Sequence, residues 1–148
     1  MTLPVKVQQF APGLFTTNGQ GTGQASTVIA NTATLVAPAG TTSDSRPAKP
    51  GEYLSIYCTG LGATTNPPVL GGPSPSNPLA STSVTPVVTI GGVPATVIFS
   101  GLAPGFVGLN QVNVQVPDGV MPGDAVPLVL TQGGVVSNTA TIAVAAVE

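Results

Sequence analysis

Few residues in this chain have side chains suited to chemistry. It contains no histidine, which removes the usual general base, the Ser-His-Asp constellation and the commonest transition-metal ligand together. One of the five acids is the final residue, Glu148. Asp118 and Asp124 flank Gly119-Val120-Met121-Pro122-Gly123 in what reads as one loop. Two carboxylates with nearby carbonyls could serve a calcium ion, which wants several oxygen ligands. The plainer reading is aspartate choosing turns beside glycine. We expect no cofactor and no metal, with Asp118 and Asp124 as the calcium candidates to test.

The single cysteine, Cys58, allows no intrachain disulfide and reads as a small buried hydrophobe on a strand. A reactive thiol would want a cationic neighbour or a helix N-terminus, and the sequence around it offers neither. Gly19-Gln20-Gly21-Thr22-Gly23 lacks the spacing of a phosphate loop and no helix follows it, so it reads as a turn. Lys6 and Asn138 are the residue types of an isopeptide crosslink, but no acid is placed to assist, and Lys6 reads as a solvated lysine on an edge strand. Tyr53 and Tyr57 share one strand face, two pleats apart, and could form a small stacking platform for a sugar. The four phenylalanines read most simply as core residues.

Positioning these residues falls to β structure. Glycine (19) and proline (16) make up about a quarter of the 148 residues, close to where disorder becomes plausible, but Val, Leu, Ile and Phe number 41. That is enough to bury a core. Charged residues are 5% of the chain, whereas surface helices normally need charged faces and strong helix formers. Valine and threonine are used instead, and both favour the pleated sheet. Three basic residues cannot supply the electrostatic footprint of nucleic-acid binding. No apolar run approaches the ~18 residues of a membrane span, so no membrane insertion is expected. The opening residues lack the n-region and h-region of a signal peptide.

Asn110–Val116 is the clearest strand, with Val112, Val114 and Val116 alternating with Gln111, Asn113 and Gln115. Glu52–Thr59 repeats the pattern: Leu54, Ile56 and Cys58 on one face, Tyr53, Ser55, Tyr57 and Thr59 on the other. Diglycine turns at Gly91-Gly92 and Gly133-Gly134 predict two hairpins. The first joins Val87–Ile90 to Val93–Phe99, the second Val126–Thr131 to Val135–Val144. Leu3–Val7 and Ala25–Ala30 read as strands, with Thr32–Ala37 returning beside the latter. Thr41–Pro50 and the proline-rich Thr64–Pro86 read as long loops, and loops of that length are often functional. Thr2-Leu3-Pro4-Val5 resembles Thr141-Ile142-Ala143-Val144, as if residues 1–9 were an edge, linker or closing strand of a preceding module and residues 10–148 a single domain.

From Pro50 onward the chain resembles the IPT/TIG family of immunoglobulin-like domains. The resemblance rests on Pro50-Gly51-Glu52-Tyr53-Leu54-Ser55-Ile56-Tyr57-Cys58-Thr59-Gly60-Leu61-Gly62, Val88-Thr89-Ile90-Gly91-Gly92-Val93-Pro94-Ala95, Asn110–Pro117 and Gly133–Thr139. With the run Phe99–Val112 included, nearly the whole chain from Ala11 is similar to an uncharacterised C-terminal domain of large secreted proteins of soil bacteria. The resemblance implies an all-β, immunoglobulin-like antiparallel β-sandwich in a secreted or cell-surface setting. It carries no agreed activity and transfers no site residues.

The expected function is therefore a non-catalytic structural or adhesive module whose partners are neighbouring domains or like protomers. A carbohydrate-binding module using Tyr53, Tyr57 and the Thr64–Pro86 loop on a polysaccharide is one alternative. A filament subunit that self-associates through Leu3, Val5 and Val7 is the other.

Overall fold

The computed structural model describes Met1–Val147. Its strands in chain order are β1 (Gly13–Leu14), β2 (Thr27–Ile29), β3 (Leu35–Val36), β4 (Ser45–Arg46), β5 (Tyr53–Thr59), β6 (Val87–Ile90), β7 (Val93–Leu102), β8 (Asn110–Gln115), β9 (Gly123–Gln132), β10 (Val135–Val136) and β11 (Ala140–Val144). No helix is present among the described residues, as the valine- and threonine-rich composition requires.

The strands form one connected mixed sheet in the order β10-β9-β6-β7-β8-β5-β2-β3-β4. The sheet curls into a half-barrel. β1 sits beside β2 along one edge of β5, and β11 sits beside β10 along one edge of β9. The ten-residue β7 makes the curl possible. Its first residues pair with β6 and its later ones with β8, and the register slips between Val97 and Phe99. Such a bulge bends the strand and increases its twist, so one strand turns the corner between the two parts of the sheet.

The concave side holds the core. Leu54, Ile56 and Cys58 of β5 meet Val112 and Val114 of β8, Val88 and Ile90 of β6, Leu128 and Leu130 of β9 and Ile142 of β11, all at most 1% exposed. Burying each of the larger side chains contributes roughly 1.5–3 kcal/mol. Alternation along β8 is strict, with Val112 and Val114 inside and Gln111, Asn113 and Gln115 partly exposed.

Several expectations need correction. The sheet is not wholly antiparallel: β4, inside the expected Thr41–Pro50 loop, lies parallel to β3. Val135–Val144 is not one strand but two, interrupted around Asn138. Ser55, placed on the wet face by alternation, is buried. None of the four phenylalanines is a core residue: Phe10 and Phe99 are half-buried, Phe15 and Phe106 exposed. Medium-sized aliphatic side chains fill the concave side, and two of the phenylalanine rings lie against glycines instead.

Leu3–Val7 is no strand of this sheet. Leu3, Val5 and Val7 are 76%, 82% and 89% exposed, and the segment pairs with nothing in its own chain. Alternation supplied a strand-like face, but the neighbouring edges are already taken: β1 and β2 fill the side of β5 away from β8, and β11 is covered at Gln24 and Ala48.

Candidate functional site

The two ends of the half-barrel differ in chemistry, and their polarity follows from the strands. β5 and β9 both finish at one end, where Gly62 and Gly133 lie against the same side chain, Phe10. A Cβ on either glycine would collide with the Phe10 ring, so the ring occupies a slot that only two glycines leave open. Ala11 then donates its N–H to the Gly60 carbonyl (3.0 Å). We call this the entry end. β9 begins at the opposite end, where Gly123 pairs with Val144, the last residue of β11. Ten residues of β9 put about 30 Å between the two. That second end is the exit end.

Among the described residues, every charged side chain except Lys6 of the N-terminal segment lies at the exit end. No charged residue occurs between Glu52 and Asp118 or between Lys6 and Asp44, so the loops of the entry end carry none. Arg46 and Glu52 form a bidentate pair (3.0 and 2.8 Å), and the Glu52 carboxylate also accepts the Lys49 N–H (2.8 Å). The Arg46 hydrogen bond holds the Glu52 carboxyl below the usual carboxylate range, and Glu52 in turn raises Arg46. Asp44 accepts the Thr34 hydroxyl (2.9 Å) close by. Asp118 and Asp124 stand exposed at the same end. Among the described residues, four carboxylates thus face two cations there, leaving the exit end acidic.

The entry end is apolar. Val69 and Leu70 at the tip of the Thr64–Pro86 loop are exposed, as are Phe106 and Val107 in the β7–β8 loop. The loops are tied together: Ser74 donates its N–H and its hydroxyl to the Phe106 carbonyl (2.8 and 2.9 Å), and Gly105 N–H returns to the Ser74 carbonyl. Thr64–Pro86 is pinned again at its base, where Ala80–Thr82 runs along β7 and bonds Ser100 and Leu102. Gly101 faces the Ala80 carbonyl there, with the Phe99 ring across it, and has no room for a Cβ. Gln132, fully buried, donates to the carbonyls of Leu61 and Val84 (2.9 Å each) and closes this end.

Other sequence candidates land as follows. Tyr53 and Tyr57 lie on the convex face of β5, Tyr53 exposed and Tyr57 half-buried. Across the ladder they pair with Gln115 and Gln111, an aromatic pair set beside a row of carboxamides. Asp118 is in a loop as expected, but Asp124 is the second residue of β9, so the two do not flank a single loop. Among the described residues no three acid, cysteine or histidine side chains come together as a metal cage would require. Cys58 is buried, and that burial pushes its thiol up to about 12. Lys6 is exposed, while Asn138 spends its carboxamide on Leu14 and Gly21. Sequence reasoning missed the Phe10 slot, the Gln132 tie and the Asn138 bridge, because each joins residues far apart in the chain. Glycines immediately on either side of Leu61 and at the second hairpin turn were the visible signal of the first.

No family model, curated protein or solved structure matches the chain. Among the described residues no helix is long and apolar enough to cross a membrane.

Proposed function

We propose that this chain is a non-catalytic structural or adhesive module of a secreted or cell-surface bacterial protein, an immunoglobulin-like sandwich of IPT/TIG type. It works through contacts with neighbouring domains or like protomers. The observation that carries this reading is the path of the chain. Domain termini often lie close together; here the folded part starts at Phe10 on the entry end and its last strand finishes at Val144 on the exit end. A module crossed from end to end adds its own length to whatever it links. The sandwich assignment is supported by two parts of the sheet facing each other across one aliphatic core and joined at the β7 bulge.

Small-angle scattering on one, two and three chains fused in series tests the reading. The maximum dimension should grow by at least about 30 Å with each added copy. Growth much smaller than that, with copies folding back side by side, overturns it.

A second reading, polysaccharide binding, is favoured by one observation: Tyr53 and Tyr57 stand directly across from Gln115 and Gln111. Aromatic faces with adjacent amides can stack on and hydrogen-bond to sugar rings. Retention on an insoluble polysaccharide, lost when both tyrosines become alanine while the fold is kept, would put this reading first.

A further inference from the structure

We propose that the N-terminal segment of one copy adds as a strand to the exit end of the next copy, building an open head-to-tail chain. The proposal deepens the contact-module reading by naming the partner as a second copy of this chain.

The donor is residues 1–9. Leu3, Val5 and Val7 alternate with Pro4 and Lys6, and their apolar face has no neighbour in its own molecule. Three large aliphatic side chains held in water on one face of an extended segment form a strand that lacks a sheet.

The acceptor is the start of β9. β6 pairs with β9 only from Thr131 to Leu128, and the Gly91 N–H on the Pro127 carbonyl (2.8 Å) is the last bond between them. β11 lies on the opposite side of β9, since Ala140 and Ile90 both face Leu128. Gly123–Val126 therefore runs past the end of β6 with no strand on that side. From Val126 to Gly123 β9 spends three residues where β11 spends two, Ile142 to Val144, so β9 bulges at Asp124-Ala125, and a bulge leaves its extra residue unpaired in the ladder. Against this edge lies a groove of about 290 Å³ lined by Gly91, Met121, Pro122, Ala125, Val126 and Pro127, with no charged residue in its lining.

The two patterns match. The acceptor edge carries Asp124 among Gly123, Ala125 and Pro127, as the donor carries Lys6 among Leu3, Val5 and Val7. A strand laid along this edge brings Lys6 near the exposed Asp124, and opposite charges across a ladder attract. Lys6 is the one charged residue of the donor segment, and the acceptor end is the acidic one. Strand addition of this kind draws affinity from main-chain bonds and specificity from alternate side chains. Donor and acceptor lie at opposite ends, about 30 Å apart along β9, so the contact is heterologous and leaves both ends of any assembly open.

The test is sedimentation velocity on the full chain over a wide concentration range. Mass should rise steadily with concentration and without a ceiling. Lys6→Asp and Asp124→Lys should each weaken assembly several-fold, and the double variant should restore it. Val5→Asp should abolish it. All these side chains are exposed, so none of the substitutions should lower the melting temperature. A free peptide of residues 1–9 should dissolve the assemblies. A chain that stays monomeric throughout, a closed dimer, or a double variant no better than the single ones overturns the proposal. The end-to-end spacer reading is judged separately, by the scattering of the fused copies.

Discussion

The carboxamide of Asn138 pairs with the backbone of Leu14 as a strand would. Leu14 donates its N–H to Asn138 Oδ1 (2.7 Å), and Asn138 Nδ2 donates to the Leu14 carbonyl (3.0 Å) and to that of Gly21 (2.7 Å). One side chain therefore fills the gap between β10 and β11 and ties the first strand of the fold to the last part of the chain. Asn138→Ala should cost roughly 1–3 kcal/mol, because Leu14 and Gly21 are left with unmet backbone groups. Denaturant unfolding measures the loss, and faster hydrogen exchange at Leu14 locates it. An unchanged midpoint would show that water serves those groups equally well.

Gly101→Ala tests the base of the Thr64–Pro86 loop. The new methyl meets the Ala80 carbonyl and the Phe99 ring, and overpacking of this kind costs about 1–3 kcal/mol. The loop should yield before the sheet does, so limited proteolysis should cut within Thr64–Pro86 in the variant and spare the wild type. Cleavage in β8 or β9 instead would show that the strain is spread through the core.

The Arg46–Glu52 pair sets a small acid dependence. Glu52 is held below its ordinary value, chiefly by the Arg46 hydrogen bond. Its contribution is therefore present above the ordinary carboxylate value of about 4.3 and is lost as pH falls through the lower folded value. The two side chains are 41% and 27% exposed, so solvent screening keeps the effect under about 1 kcal/mol. Glu52→Gln should flatten the acid limb of a stability-versus-pH curve and leave neutral stability lower by no more than that. A larger loss at neutral pH would mean that the carboxylate's bond to the Lys49 N–H carries the connection into β5.

Cys58 should be inert in the folded state. Burial pushes its thiol up to about 12, and the thiolate is the reactive form. At pH 8 a thiol reagent should modify the chain only in denaturant. Rapid stoichiometric modification of the native protein would show that β5 opens locally.

Strands whose inner and outer neighbours were written in their own alternation were legible in the sequence. β8 and β5 follow from Val112/Val114 and Leu54/Ile56/Cys58, and both hairpins follow from their diglycine turns. The second hairpin was read as continuing straight to Val144, because nothing local reveals that Asn138 substitutes for a ladder rung. Leu3–Val7 has the alternation of a strand, yet a strand exists only where an edge is free to receive it, and that depends on distant residues. The phenylalanines misled for a related reason. Hydrophobicity says that a ring will be covered, yet Phe15 and Phe106 stay exposed, and what covers Phe10 is the pair of glycines at positions 62 and 133. For the site, Tyr53 and Tyr57 were placed on the correct face from periodicity alone. The segregation of charge to one end needed the topology.

The two parallel contacts on the free side of β11, Gln24 with Thr141 and Ala48 with Val144, bear on how the molecule responds to tension. Force applied through the two chain ends draws the segment around Gln24 and Ala25 one way and β11 the other, along their common axis. The Ala25 N–H on the Thr141 carbonyl and the Thr141 N–H on the Gly23 carbonyl (2.9 and 2.8 Å) are then loaded in shear. They must rupture together, whereas bonds peeled from one end break in succession. The fold is thus latched across the line of pull, and its resistance to stretching along that line should exceed what its equilibrium stability alone implies.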